Sequence, residues 1–482
     1  GNDLQDFDLY FLQLENPEKN SVYSPLSIKY ALEMLGEGSK GESKAEIDEI
    51  VGDYKAKKYT NSSHMSFANA MFVRNDFKDN VKEEYTKLLT DKYNAEIQYA
   101  DFNSAKPMND WVSNKTFKLI NNLFKDSDVN DKSFIIMNAL AIDMNWNNQI
   151  QCEASNSGVP CIMYSVDYAH EKYSDFVPMI EDASNYDELK FNDDIKAKSL
   201  QIAASLNNYD IIKDKGEDKI REEVGAMYKD YVAKGGETCG LSYDEYMDGY
   251  IESIGKNYKK VDYSTDFLFY DDDSVKSFAK DLKTYDGTTL QYVGIMPKKD
   301  NLATYVKGLD ANKLNGVVSN LKELKLENVK EGTITHIKGH IPVFKYDYKL
   351  DFINDLNKLG IKDVFDINKA NLGGLIKEGT EKQYIADASH QATIEFSNEG
   401  IRAAAVTQFG GAGAAGCDTF DYKYEVPIEE IDLTFDKPYM YIIRDKDSGE
   451  VWFVGTIYQP IKKQLIKETR GLPLVLFVLF YV

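Results

Sequence analysis

Apolar positions along the chain follow two periods. The helical one is clearest near the start, where Ile28, Ala31, Leu32 and Leu35 form one stripe. Ser24 is placed to cap that helix, Pro25 suits its first position, and Gly36 closes it. Further helices are predicted around residues 81–93 and 108–124 and over Tyr243–Ile254. Another carries Phe352, Leu356 and Leu359 and is stopped by Gly360. The strand period appears in Ala392, Ile394 and Phe396, and in Leu290–Pro297, which a proline ends. Phe134–Trp146 is apolar almost without a break, as a central strand would be. Phe67–Val73 reads as a strand or a buried helix end, and Ile341–Lys345 as a strand. Phe435–Asp445 and Ser448–Gly455 read as a hairpin turning at Asp447-Ser448-Gly449.

Two stretches are harder to place. Residues from about 152 to 262 are rich in Tyr, Asp, Lys and Asn and poor in apolar runs. Leu472–Val482 is apolar for eleven residues, too few for a bilayer span of ~20. It is expected to be a tail foreign to the fold or a terminal strand that docks, with a weak membrane or partner contact as the alternative.

Composition narrows the class. Of 482 residues, 43% are hydrophobic and 12% aromatic, enough for a substantial core. A net charge of −22 without a basic cluster disfavours nucleic acid and anionic membranes as partners. The four cysteines include no C-x-x-C pair and the five histidines have no ligand spacing, so no metal is expected. Cys152 and Cys161 are close enough to bridge a small loop, while Cys239 and Cys417 show no obvious mate. The chain opens Gly1-Asn2-Asp3-Leu4 with neither a basic nor an apolar segment, and a leader is expected to have been removed.

The segment Ser397–Gly416 carries the candidate chemistry. It comes directly after the Ala392–Phe396 alternation, and its side chains then shrink almost to nothing. No tight turn needs so many small residues, and a core would waste them. Such a segment must be exposed and flexible, or able to enter a crowded space. Gly411-Ala412-Gly413-Ala414-Ala415-Gly416 also satisfies G-x-G-x-x-G, the dinucleotide fingerprint. The next residues, Cys417–Val426, have no helical period and run into Pro427, so no cofactor is expected.

This segment resembles the hinge and reactive loop of the serpins, serine-protease inhibitors. Other motifs resemble the family in its own order. They are Ser24–Gly36, the W-V-x-x-x-T pattern at Trp111, and Asn138 with Trp146 eight residues on. Ile361–Phe365, Ala370–Leu372 and the hairpin Phe435–Gly455 come after them. Departures are Asp143–Asn145 for Phe-Lys-Gly, Tyr439 for Phe, Asn398 for Glu, and Ile401-Arg402 for Thr-Glu.

The resemblance implies an α+β serpin fold over residues 1–460. That fold has three mixed or antiparallel sheets, a large central one among them, about eight to nine helices and an exposed reactive loop at about 398–426. Residues of about 152–262 would be an insertion, and 461–482 a tail. It implies a monomeric, secreted suicide inhibitor, not an enzyme, forming a covalent complex with a serine protease. The freed loop would then enter the large sheet as a strand. Gly400, Ile401, Arg402, Ala403, Ala404 and Ala405 would form the hinge, and family spacing points to cleavage at Ala414–Ala415. Phe409, Gly413 and Gly416 are alternative cleavage residues. Small residues there suit an elastase-like or subtilisin-like protease. Ser24, Ser27, Asn138, Trp146 and His390 match the family's sheet-opening network. The alternative is a non-inhibitory serpin acting as a carrier, a chaperone or a plain protease substrate.

Overall fold

A computed structural model describes residues 5–15, 18–55, 57–147, 199–256, 261–262, 267–342, 344–396, 427–459 and 472–481. The strands in chain order are β1 Ser21–Tyr23, β2 Met65–Arg74, β3 Glu96–Ala100, β4 Phe134–Met144 and β5 Ser199–Asn207. Next come β6 Val261–Asp262, β7 Leu268–Asp271, β8 Val275–Asp281, β9 Leu290–Pro297, β10 Ile334–Pro342 and β11 Phe344–Leu350. The last are β12 Asp387–Phe396, β13 Ile428–Asp432, β14 Tyr439–Asp445, β15 Val451–Ile457 and β16 Leu472–Tyr481. They form three sheets, ordered β1-β15-β14-β9-β8-β7, β13-β10-β5-β6 and β11-β12-β16-β4-β2-β3. The last is antiparallel except for its β2–β3 pair.

Helices α1 (Phe7–Leu14) and α2 (Pro25–Glu37) belong to the main core. The apolar continuity of β4 has a direct cause. Phe134, Ile136, Leu140 and Ile142 face the same core as α2, while Ile135, Met137, Ala139 and Ala141 pack with Met108, Trp111 and Val112. Both faces are therefore buried, and no alternation survives. In β12, by contrast, Ala392, Ile394 and Phe396 are buried and Gln391 and Thr393 are only half-buried, which keeps the alternation legible.

Two expectations shift in detail. The helix expected over 108–124 runs only over Lys106–Lys115. The Thr116 hydroxyl donates to Val112 O at 2.7 Å and the Lys118 N–H to Ser113 O at 2.8 Å. Phe117 and Lys118 then take φ of 53° and 62°, which ends the helix. The strand expected at Ile341–Lys345 is divided. Ile341 and Pro342 end β10, and Phe344 and Lys345 begin β11 in another sheet. Pro342 has no N–H to donate, so the ladder of β10 stops there.

Within the patternless region, helices Ile211–Lys215, Glu217–Ala233 and Tyr243–Lys256 pack on one another. Their core holds Ile220, Val224, Tyr228, Tyr246, Met247 and Tyr250, with the Tyr228 and Tyr246 rings stacked at 4.0 Å. Cys239, for which the sequence suggests no mate, is disulfide-bonded. Cys152, Cys161 and Cys417 lie outside the described residues, as do residues 148–198.

Beneath the core, Lys29 Nζ pairs with Asp8 Oδ1 at 3.0 Å, both groups buried. Nearby Glu450 is wholly buried and accepts from the Tyr54 hydroxyl at 3.2 Å, while its other carboxyl oxygen has no partner among the described residues. Burial pushes the Glu450 carboxyl up from 4.5 to about 7. The folded chain thus keeps a proton that the unfolded chain releases. The associated stability is full below pH 4.5 and is lost as pH rises through about 7. Glu450→Gln should flatten the fall in Tm between about pH 5 and 7 by a few degrees relative to the parent. Identical pH slopes in a thermal melt would refute this assignment.

Candidate functional site

The site begins at the first turn of α2. A helix leaves its first N–H groups without intrahelical acceptors, and here that turn is buried against the large sheet. Ser24 meets part of this need, its hydroxyl accepting from the Ser27 N–H at 3.0 Å. The Ser24 N–H donates to His390 Nε2 on β12 at 3.1 Å. The Ser27 hydroxyl donates to Asn138 Oδ1 on β4. Asn138 Nδ2 passes the chain on to Asn69 Oδ1 of β2 at 2.6 Å, and Asn69 Nδ2 ends it at Tyr93 O at 2.8 Å. All six side chains are buried. Unpaired polar groups in such a place would each be destabilising by about 1–3 kcal/mol, so the network fixes how α2 meets three strands.

His390 is an acceptor at Nε2, which puts its proton on Nδ1. That Nδ1 has no hydrogen-bond partner among the described residues. Burial lowers the imidazole from 6.5 to about 3, so it stays neutral at physiological pH. The Phe352 ring lies 5.9 Å from it.

Four of the five expected network residues therefore come together. Trp146 does not join them. It lies eight residues along the β4 segment, roughly 26 Å of extended chain from Asn138. Its ring packs on Phe396 at 5.4 Å and on Tyr292 at 6.0 Å, beside the last residue of β12. Asn69 was missed by sequence reasoning. A lone Asn in an apolar strand was its only signal. The hinge Gly400–Ala405, the cleavage residues Phe409, Gly413, Ala414, Ala415 and Gly416, and the whole loop at 398–426 lie outside the described residues.

Between the two arms of the network lies β16. It pairs antiparallel with β12 and with β4, and Val478 stands in register with His390 on one side and Asn138 on the other. Among the described residues no group of His, Cys, Asp and Glu could hold a metal, and no helix is long and apolar enough to cross a membrane.

Known proteins share this architecture. The family model for serpins, serine protease inhibitors, matches residues 7–203 and 261–460. The break at 204–260 contains the three packed helices of Ile211–Lys256. The chain is 22% identical to neuroserpin of Mus musculus over 464 residues, covering 92% of this chain and 87% of that protein. It is 22% identical to the leukocyte elastase inhibitor of Homo sapiens over 475 residues, covering 94% and 97%. Among solved structures, the thermophilic serpin tengpin in its latent state superposes with a TM-score of 0.56 at 17% identity, covering 95% of this chain and 96% of that one. With a family model spanning most of its length and a matching fold, the chain belongs to the serpin family.

Proposed function

We propose that this chain inhibits a serine endopeptidase as a single-use substrate, with residues 398–426 as bait. The observation that carries the reading is the composition of the segment after β12. From Ile401, every second residue to Gly413 is uncharged and none is proline. These positions would all lie on one face of an added strand, and none would bar its burial. Attack by the protease serine would leave an acyl-enzyme attached to the cut loop. Entry of the loop beside β12 would then carry the protease along, in the manner of strand addition. Members of the family are generally inhibitors rather than enzymes. The residues beneath the sheet suit that role. His390 Nε2 is occupied by a main-chain N–H and Ser27 donates to an amide oxygen, so neither serine is paired with a base.

Small residues at Gly413–Gly416 favour a shallow specificity pocket, and one relative is named for leukocyte elastase. We place the cut at Ala414–Ala415 and the target among elastase-like or subtilisin-like proteases. The disulfide at Cys239 favours an oxidising, extracellular setting. The helical unit within 152–262 is read as an insertion on a monomeric inhibitor. The second reading, a non-inhibitory serpin whose loop is merely cut, draws support from β16, since the sheet position beside β12 is already filled.

Mixing the protein with elastase-like, subtilisin-like, chymotrypsin-like and trypsin-like proteases should give an SDS-stable adduct with one of the first two. Mass spectrometry of the released fragment should begin it at Ala415. Cleavage by all four without any adduct would move the assignment to the second reading. Ala403→Pro should abolish the adduct while leaving loop cleavage at the parental rate, because proline cannot join a central ladder. Retention of the adduct in that variant would refute the inserted-strand step. Asn138→Leu strands the Ser27 hydroxyl and an Asn69 acceptor and should destabilise the fold by about 2–4 kcal/mol, read as an earlier denaturant midpoint. An unchanged midpoint would show that the network contributes nothing to stability.

A further inference from the structure

The site between β4 and β12 has a definite shape. Those two strands run parallel to each other, since each is antiparallel to β16. Strands on either side of an occupied position stand roughly 9.6 Å apart, twice the usual spacing. The first turn of α2 is built to that width, with Ser24 reaching β12 and Ser27 reaching β4. α2 itself lies against both β4 and β16.

Both ends of the position are closed by contacts that straddle it. At one end the Trp146 ring, just beyond β4, meets Phe396 of β12 at 5.4 Å. The nearby rungs are Leu472 opposite Met144 and Leu474 opposite Ile394. At the other end Lys132 Nζ, just before β4, pairs with Asp387 Oδ2 at 2.9 Å. Tyr481 is in register there with Asp387 and Ile135. The ladder is continuous on both sides of β16, from Leu474 to Tyr481 against β12 and from Leu472 to Tyr481 against β4. Pro473, which cannot donate, stands at the strand's second residue, where a missing N–H disturbs the ladder least.

We propose that Leu472–Tyr481, by filling the position between β4 and β12, keeps the reactive loop out until it is displaced. The occupancy stands on the strand register alone. The exclusion of the loop rests on the inhibitory reading above, because that reading requires the loop to enter beside β12. One position cannot hold two strands. The fraction of molecules able to trap a protease is then the fraction whose tail has left, and trapping efficiency falls by that factor.

Three forms test this: the full chain, a chain ending at Gln459, and the full-length variant Val475→Pro/Val478→Pro. The double substitution keeps the chain length and breaks the ladder on both sides, and it keeps the test decisive should the truncated chain fail to fold. Hydrogen exchange read by mass spectrometry should show residues 474–481 protected in the full chain. In both altered forms, amides of β4 and β12 should exchange roughly tenfold faster or more. Against a protease that cuts the loop, adduct yield per cleavage should rise roughly tenfold in both altered forms. Cleavage should raise Tm sharply in those forms and little in the full chain.

Unprotected exchange of 474–481 in the full chain would overturn the proposal whatever the inhibitory assay gives. Equal adduct yield in all three forms, with the tail still protected after the reaction, would overturn the exclusion. A protected tail with no adduct from any form would instead refute the inhibitory reading while supporting the tail as the site's occupant.

Discussion

A helix that starts beneath a sheet must find partners for its first polar groups in that sheet. Here the start of α2 is buried, and the partners come from separate strands. His390 serves one side and Asn138 the other, with Asn69 carrying the chain of hydrogen bonds one strand further. This one constraint sets the spacing of β12 and β4, and with it the width of the position between them. A neutral imidazole suits the place, because a charged one would be buried without a counter-ion among the described residues.

Much of this was legible because it is local. Ser24 and Pro25 announce a helix start by their own backbone chemistry, and Gly360 stops one with φ of 104°. The alternation of β12 survives because only one of its faces is fully buried. The hairpin of β14 and β15 needs only its turn, where Gly449 takes φ of 76°. His390 could be placed by the family resemblance, but its acceptor role depends on a main-chain group 366 positions away.

Most features that escaped the sequence are non-local, but the first is a local competition. The early end of the helix at Lys115 depends on side-chain and main-chain bonds that compete with the helical ladder. The division at Pro342 depends on two sheets lying where one strand can leave the first and enter the second. Cys239 is disulfide-bonded although its place in the sequence gives no sign of a mate. Leu472–Tyr481 is a docked strand, one of the two readings of that apolar end, but its place between β12 and β4 was not legible. Ten residues of β16 equal the ten of β12 and fall one short of the eleven of β4.

The order of the strands along the chain adds a temporal consequence. β4, β12 and the loop are all made before β16, which is the last of the described strands to leave the ribosome. Both flanks of its position therefore exist before their filler does. At synthesis rates of about 5–20 residues per second, the nascent protein spends on the order of seconds in that state. Strand pairing takes microseconds, so this interval is long on the timescale of folding. Each newborn molecule thus passes through a stage in which the flanks of that position have been made and its filler has not.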